Sequence, residues 1–174
     1  MNASGKIDEY AGGHTAPLRD GYSAPLSSLA GDIYPDDIYS PKAAQYYGTG
    51  DAKMDRQAAD MFQKYRNLPD ADVPIYRAAP LGSEDINAGD WVTMSRDYAR
   101  QHGDSYLDED YNILEGTAKA GDLFTDGNSM HEFGWSPIVS ANASQSGGLI
   151  GAGLSEAQRQ ARDILDMRAA GRAG

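Results

Sequence analysis

The chain contains no cysteine among its 174 residues. Disulfide bonds and thiolate metal sites are therefore excluded, and a reducing cytoplasm is the expected compartment. The sequence has no apolar run long enough to span a bilayer, and its N-terminus lacks the basic and apolar regions of a secretory signal, so we expect no membrane partner. The histidines His14, His102 and His131 lack the spacing of metal ligands, which argues against a metal site.

Positive charge is also scarce. Lysine and arginine number 15 against 26 acidic residues, which gives a formal net charge of −11. Nucleic acids and anionic membranes attract proteins through clustered basic side chains, so the composition does not support a nucleic-acid partner. It still allows a small anionic ligand that one or two arginines hold. The hydrophobic share of 40% and the charged share of 24% are typical of a soluble globular protein.

Small and turn-forming residues divide the chain into three parts. Residues 1–39 carry repeated glycine and proline turn signals, which predict an irregular N-terminal arm; its tyrosines indicate that it packs on the domain. Residues 40–140 are expected to form that domain. Residues 141–174 read as a glycine- and serine-rich linker and a C-terminal helix that begins with a capping box at Ser155. The sequence leaves the oligomeric state open.

Hydrophobic spacing within the domain is helical at first and strand-like afterwards, which favours the α+β class over a regular βαβ alternation. We predict a short helix from Ser40 to Gly48 and a longer one from Asp51 to Asn67. The later segments are a strand at Val73–Ala78, a strand at Trp91–Ser95, a short helix from Arg96 to Gln101 that Gly103 ends, a strand at Tyr111–Glu115, a short apolar piece at Asp122–Thr125 and a strand at Met130–Trp135.

Three of the predicted strands carry an arginine, a pair of hydroxyls and a glutamate in that order. The first contains Arg77, the second has hydroxyls at Thr93 and Ser95, and the third contains Glu132. In this order they resemble the arginine–serine–glutamate pattern of the ADP-ribosyltransferases. Flanking stretches look like the ADP-ribosyltransferase-like domains in polyvalent proteins of phages and mobile elements, and they extend the resemblance from Gly13 to Trp135. These stretches are residues 13–17, 32–37, 87–91 and 122–128.

The resemblance implies a fold and an activity. The fold would be α+β, with a split β-sheet that forms an NAD cleft and with helices ahead of it. The activity would be mono-ADP-ribosylation of a host macromolecule, most simply a host protein, with NAD as the substrate. Glu132 would stabilise the positive charge that develops on the ribose as nicotinamide leaves. Arg77 would bind the pyrophosphate through a forked contact.

The remaining family positions have supporting roles under the same resemblance. Thr93 would brace the ribose and Glu132, and Ser95 would support the strand. An aromatic ring would stack on nicotinamide, and the sequence does not choose among the candidates Tyr98, Phe133 and Trp135.

One departure from the family pattern affects the acceptor. Met130 stands where the common pattern has a glutamate or glutamine that presents the acceptor residue, and a thioether cannot polarise an acceptor. Arginine-specific transfer is therefore not implied. Two alternatives stay open: a binding or inhibitory module that keeps the fold without the chemistry, and an NAD glycohydrolase in which water is the acceptor. His131 is expected to point to the opposite strand face from Glu132, without a catalytic role.

Overall fold

The computed structural model describes residues 15–107 and 110–138, which form an α+β structure with two antiparallel sheets. The linker and helix expected at 141–174 lie outside these residues. No described helix has the length and apolar character that a bilayer crossing needs. The elements in chain order are β1 (Ala24–Pro25), a 3-10 helix (Asp36–Tyr39), α1 (Ala43–Tyr47), α2 (Ala52–Tyr65), β2 (Asp72–Pro80), β3 (Trp91–Val92), α3 (Arg96–Tyr106), β4 (Tyr111–Lys119), a second 3-10 helix (Ala120–Asp122), β5 (Leu123–Thr125) and β6 (Phe133–Trp135).

The larger sheet has four short strands in the order β1-β5-β6-β3. Its edge strand β1 comes from the segment expected to be an irregular arm, and it pairs Ala24 with Thr125 of β5. The same segment places Leu26, Leu29 and Ile38 in the core with no exposed surface. Residues 15–39 therefore supply part of the central core and one strand of the sheet.

The smaller sheet consists of β2 and β4, which pair from Asp72↔Lys119 to Pro80↔Tyr111. Both strands run longer than their apolar segments predicted, because each supplies the backbone hydrogen bonds of the other. Val73 and Ile75 alternate into the core along β2. A backbone bridge between Tyr76 and Thr93 joins the two sheets, with N–O distances of 2.8 and 2.9 Å.

Helix α2 begins and ends close to where its sequence signals predicted. The Asp51 side chain accepts hydrogen bonds from the backbone N–H groups of Lys53 and Met54, which satisfies two of the free donors of the first turn. The helix ends after Tyr65, and Asn67 then adopts a left-handed conformation with φ of 60°. The buried face of α2 packs on the larger sheet, where Phe62 meets the ring of Phe133 edge-on at 6.2 Å.

The strand expected at Trp91–Ser95 ends earlier than predicted, and the helix that follows it ends later. Strand β3 stops at Val92, and the Ser95 hydroxyl caps α3 by accepting a hydrogen bond from the Tyr98 backbone at 3.2 Å. Serine favours this capping role, which overrides the strand alternation. Helix α3 continues through Gly103 to Tyr106, and the Tyr111 ring packs in the space that a Cβ at Gly103 would occupy, so this glycine allows close packing and does not end the helix.

The strand expected at Met130–Trp135 is shorter than predicted, since β6 begins at Phe133. Met130 and His131 belong to a turn in which the Ser129 hydroxyl accepts a hydrogen bond from the His131 backbone at 3.1 Å. Such local side-chain bonds compete with strand pairing. Glu132 therefore stands immediately before the strand.

Candidate functional site

Glu132 and Thr93 meet at one end of the larger sheet. The ladder between β3 and β6 ends with the pair Val92 and Phe133. The residues just beyond this pair are Thr93, which follows β3, and Glu132, which precedes β6. The Thr93 side chain is buried, and its Oγ1 accepts a hydrogen bond from the Ser95 backbone at 3.2 Å. The strand register thus places opposite each other two residues that lie 39 positions apart in the sequence, although Glu132 does not line the cavity that Thr93 lines.

Helix α3 supplies the side chains that surround the Glu132 carboxylate. Tyr98 lies near it, close enough for the negative charge of Glu132 to act on the phenol. His102 lies one turn further along the helix, with Nδ1 3.8 Å from Glu132 Oε1. The Glu132 side chain is 33% exposed. A carboxylate in this position is reachable from solvent and is held on one side by the protein.

The acid–base behaviour of Tyr98 reflects this contact. Burial and the negative charge of Glu132 raise the pKa of Tyr98 to about 12; the hydrogen bond to Glu132 acts in the same direction, and one with Ser129 opposes it. The phenol therefore keeps its proton at neutral pH.

Arg77 lies apart from this arrangement. Tyr76 and Thr93 are paired across the bridge, so their side chains share one face, and Arg77 as the next residue on β2 points to the other. Arg77 Nη1 donates to the Trp91 carbonyl at 3.1 Å and lies 3.4 Å from Asp90 Oδ1. Both side chains of this ion pair are less than one-third exposed.

Arg77 and the predicted hydroxyl residues line two different cavities. A cavity of about 330 Å³ is lined by Tyr76, Thr93 and Ser95 together with residues of α2 and the turn before β6. Another, of about 410 Å³, is lined by Arg77 and the loop of residues 82–90. The predicted arginine therefore opens into a different cavity from the predicted hydroxyls.

The three aromatic candidates have different environments. Phe133 is 1% exposed and belongs to the core, so its ring offers no face to a ligand. One face of Tyr98 is covered by His131, with ring centroids 4.7 Å apart and planes inclined by 21°. Trp135 is half-buried at the edge of the core. Of the three candidates, Tyr98 and Trp135 are the two whose side chains are partly exposed.

His131 has a structural connection that the sequence did not reveal. Its side chain is 1% exposed, and Nε2 lies 2.7 Å from Oδ1 of Asp55, which is also buried. The sequence of α2 does indicate that Asp55 is buried, because this residue shares the helix face of Ala58 and Phe62. A carboxylate among core positions requires partners, but the sequence could not identify them.

The Asp55 carboxylate is fully engaged. Its oxygens accept hydrogen bonds from the backbones of Thr49 and Gly50 at 3.0 and 2.9 Å and from the Thr49 hydroxyl at 3.1 Å. Burial raises the pKa of Asp55, but the hydrogen bonds from Thr49, His131 and Gly50 outweigh it and hold the pKa below its ordinary 3.8. The carboxylate is then ionised at neutral pH and can only accept, so His131 Nε2 carries a hydrogen.

No family model, curated protein or solved structure matches this chain. The resemblance to ADP-ribosyltransferase-like domains therefore remains a hypothesis that rests on the residues and motifs quoted above.

Across residues 15–107 and 110–138, no group of three or more acidic or histidine side chains is arranged to hold a metal ion.

Proposed function

We propose that this chain is an NAD-dependent mono-ADP-ribosyltransferase whose catalytic carboxylate is Glu132. The observation that carries the proposal is the setting of Glu132: its side chain is one-third exposed, its Oε1 lies 3.8 Å from His102 Nδ1, and it stands opposite Thr93, one position beyond the Val92–Phe133 pair of β3 and β6. A fixed carboxylate of this kind can stabilise positive charge that develops on a ribose. The proposed acceptor is a host protein in the host cytoplasm, for a chain encoded by a phage or mobile element.

The proposed reaction breaks the bond between the ribose C1′ and the nicotinamide nitrogen. The bonding electrons leave with nicotinamide, which departs as a neutral ring, and the ribose passes through an oxocarbenium-like transition state. An acceptor nucleophile then bonds to C1′ and loses its proton to solvent. Glu132 lies under the developing charge, and the Thr93 hydroxyl, which already accepts one hydrogen bond from the Ser95 backbone, donates a hydrogen bond to the ribose or to Glu132 and keeps its proton.

The position of Arg77 favours a second candidate, a binding or inhibitory module without transferase chemistry. Asp90 neutralises the guanidinium, and Glu84 and Asp85 line the same cavity, so a pyrophosphate there would meet negative charge. Under the transferase proposal, Arg77 must release Asp90 before it binds the substrate.

The position of Met130 bears on the acceptor. Met130 is 1% exposed and belongs to the core, so it presents nothing to an incoming acceptor. This favours water as an acceptor over a specifically oriented side chain, and it keeps an NAD glycohydrolase as the third candidate.

Incubation with NAD labelled on its adenylate half, in the presence of host lysate, separates these candidates. Glu132→Gln is the test variant, and Glu115→Gln is its matched control, because Glu115 is an exposed glutamate on β4 that pairs with Arg96 at 3.0 Å. A transferase labels a protein band with the wild type and the control, and the band is absent with Glu132→Gln. Free ADP-ribose without a band identifies a glycohydrolase. Unconsumed NAD together with a stable complex with one host protein identifies the binding module.

A further inference from the structure

The two outer edges of the smaller sheet differ in the backbone groups that they leave free. In an antiparallel ladder, two opposed residues that do not bond to each other direct their N–H and C=O groups away from the partner strand. Tyr76 is such a residue, because both of its backbone groups bond to Thr93, at 2.8 and 2.9 Å. Its ladder partner Glu115 therefore directs its backbone groups to the outer edge of β4. The pattern repeats at every second residue, so Ile113 and Thr117 do the same.

The outer edge of β2 is closed to a further strand. Pro74 and Pro80 stand at positions that face this edge, and a proline offers no N–H group there. Tyr76, which lies between them, is already bonded to Thr93. Prolines and covering segments are devices by which proteins keep edge strands from pairing with other chains. The sequence of β2 therefore protects this side of the sheet.

The outer edge of β4 is open. None of its nine residues is a proline. Within the part of the chain that the structure describes, no backbone group bonds to the outward-facing groups of Ile113, Glu115 or Thr117. Glu115 and Thr117 are exposed. A row of free N–H and C=O groups with strand spacing is a template for one further extended strand.

We propose that a second copy of this chain supplies that strand, so that two copies of β4 pair antiparallel about a two-fold axis. The side chains of β4 favour this occupant because they are complementary to themselves in one register. When Thr117 of one copy stands opposite Thr117 of the other, Glu115 of each copy faces Lys119 of its partner. Threonine pairs and opposite charges are both favourable across neighbouring strands. The inference goes beyond the proposed function, which uses no residue of β4.

The charged side chains at this edge are compatible with such a pairing. Glu115 already pairs with Arg96 at 3.0 Å, and Lys119 pairs with Asp72 at 2.6 Å. All four side chains are about half exposed or more, so they can turn towards a partner strand. An interface of one strand from each copy is small, and small interfaces are weak. The dimer should therefore form in proportion to the protein concentration.

Sedimentation velocity and amide hydrogen exchange of the full chain, each over a range of concentrations, test the proposal. We expect the mass to rise from that of a monomer towards that of a dimer. The amides of Glu115 and Thr117 should exchange more slowly as the concentration rises, whereas the Leu114 amide, which faces β2, should be protected throughout. A monomer at every concentration overturns the proposal. Protection of Glu115 and Thr117 that does not vary with concentration also overturns it, because the edge is then covered within one chain.

Thr117→Pro removes one outward-facing N–H group from each copy. It leaves the ladder with β2 intact, since Thr117 stands opposite Pro74 in a pair without mutual hydrogen bonds. Thr117→Val is the matched control, because it keeps the N–H group and the strand preference. We expect the Kd of the dimer to rise at least about tenfold with Thr117→Pro and to stay within about threefold with Thr117→Val. Unchanged dimerisation of a Thr117→Pro protein that circular dichroism shows to be folded overturns the proposal.

Lys119→Glu tests the register without a proline. It places a glutamate opposite Glu115 of the other copy, so the Kd should rise about tenfold. Addition of Glu115→Lys restores opposite charges across the axis and should return the Kd to within about threefold of the wild type. A double variant that associates as weakly as Lys119→Glu overturns the self-complementary register on which the proposal depends.

Discussion

Asp55 is a buried carboxylate whose negative charge is compensated by hydrogen bonds from Thr49, Gly50 and His131. Removal of one member of a buried ionic network leaves its partners unsatisfied, so Asp55→Ala should lower the free energy of unfolding by about 3–5 kcal/mol. Urea denaturation measures this change. Asp60→Ala, an exposed aspartate on the same helix, should change it by no more than about 0.5 kcal/mol. Equal effects of the two variants would contradict the buried network.

Asp55 also makes the free energy of unfolding depend on pH, with lower stability at acidic pH. The pKa of Asp55 is lower in the folded chain than its ordinary value of 3.8, so the unfolded chain binds the proton more readily. The stabilisation is then fully present above about pH 3.8 and is lost as the pH falls through the folded-state pKa. Unfolding of Asp55→Asn should show a shallower decline in this acidic range than unfolding of the wild type.

At the scale of elements, Gly103 allows α3 to pack against β4. A Cβ at this position would overlap the Tyr111 ring. Gly103→Ala should therefore destabilise the wild type by about 1–3 kcal/mol, although alanine is the better helix former. In a Tyr111→Ala background the overlap is gone, and the same change should stabilise the chain by up to ~1 kcal/mol. Denaturation of the four proteins of this cycle measures the reversal; an unchanged effect in the two backgrounds would contradict the close contact.

Elements with local signals could be predicted, and those that depend on distant partners could not. Helix α2 has a capping aspartate at Asp51 and an apolar face, and both are readable within a few residues. The length of β4 depends on β2, which lies about 40 residues earlier in the chain. The end of β3 depends on whether Ser95 continues a strand or caps a helix, and both roles suit the same residue type.

In the candidate site, too, some features could be predicted from the sequence and others depend on distant partners. The family resemblance assigned Thr93 and Glu132 to one site, and the register of β3 with β6 sets them at opposed positions. The face on which Arg77 lies follows from its register with β3, which no local pattern specifies. The partner of Asp55 stands 76 positions away, so the buried pair with His131 could not be read from either segment alone.

At the scale of the whole molecule, residues 15–39 contribute to the core. Leu29 is fully buried and packs within the same cluster as residues of α2 and both sheets. Leu29→Ala should lower the free energy of unfolding by about 2–5 kcal/mol, the range for a large-to-small change in a packed interior. The control is Leu81→Ala, since Leu81 is 59% exposed and should matter by about 0.5 kcal/mol or less. A Leu29→Ala protein as stable as the control would mean that this segment does not stabilise the domain.

The central claim is that Glu132 carries chemistry on NAD. Its most direct test is the rate of nicotinamide release from NAD by purified wild type, Glu132→Gln and Glu115→Gln, with circular dichroism to show that all three are folded. We predict release by the wild type and by Glu115→Gln, and a loss of at least about 100-fold in Glu132→Gln, because the carboxylate acts in the transition state. Equal release by a folded Glu132→Gln variant, or no release by the wild type in the presence of host lysate, would contradict the claim.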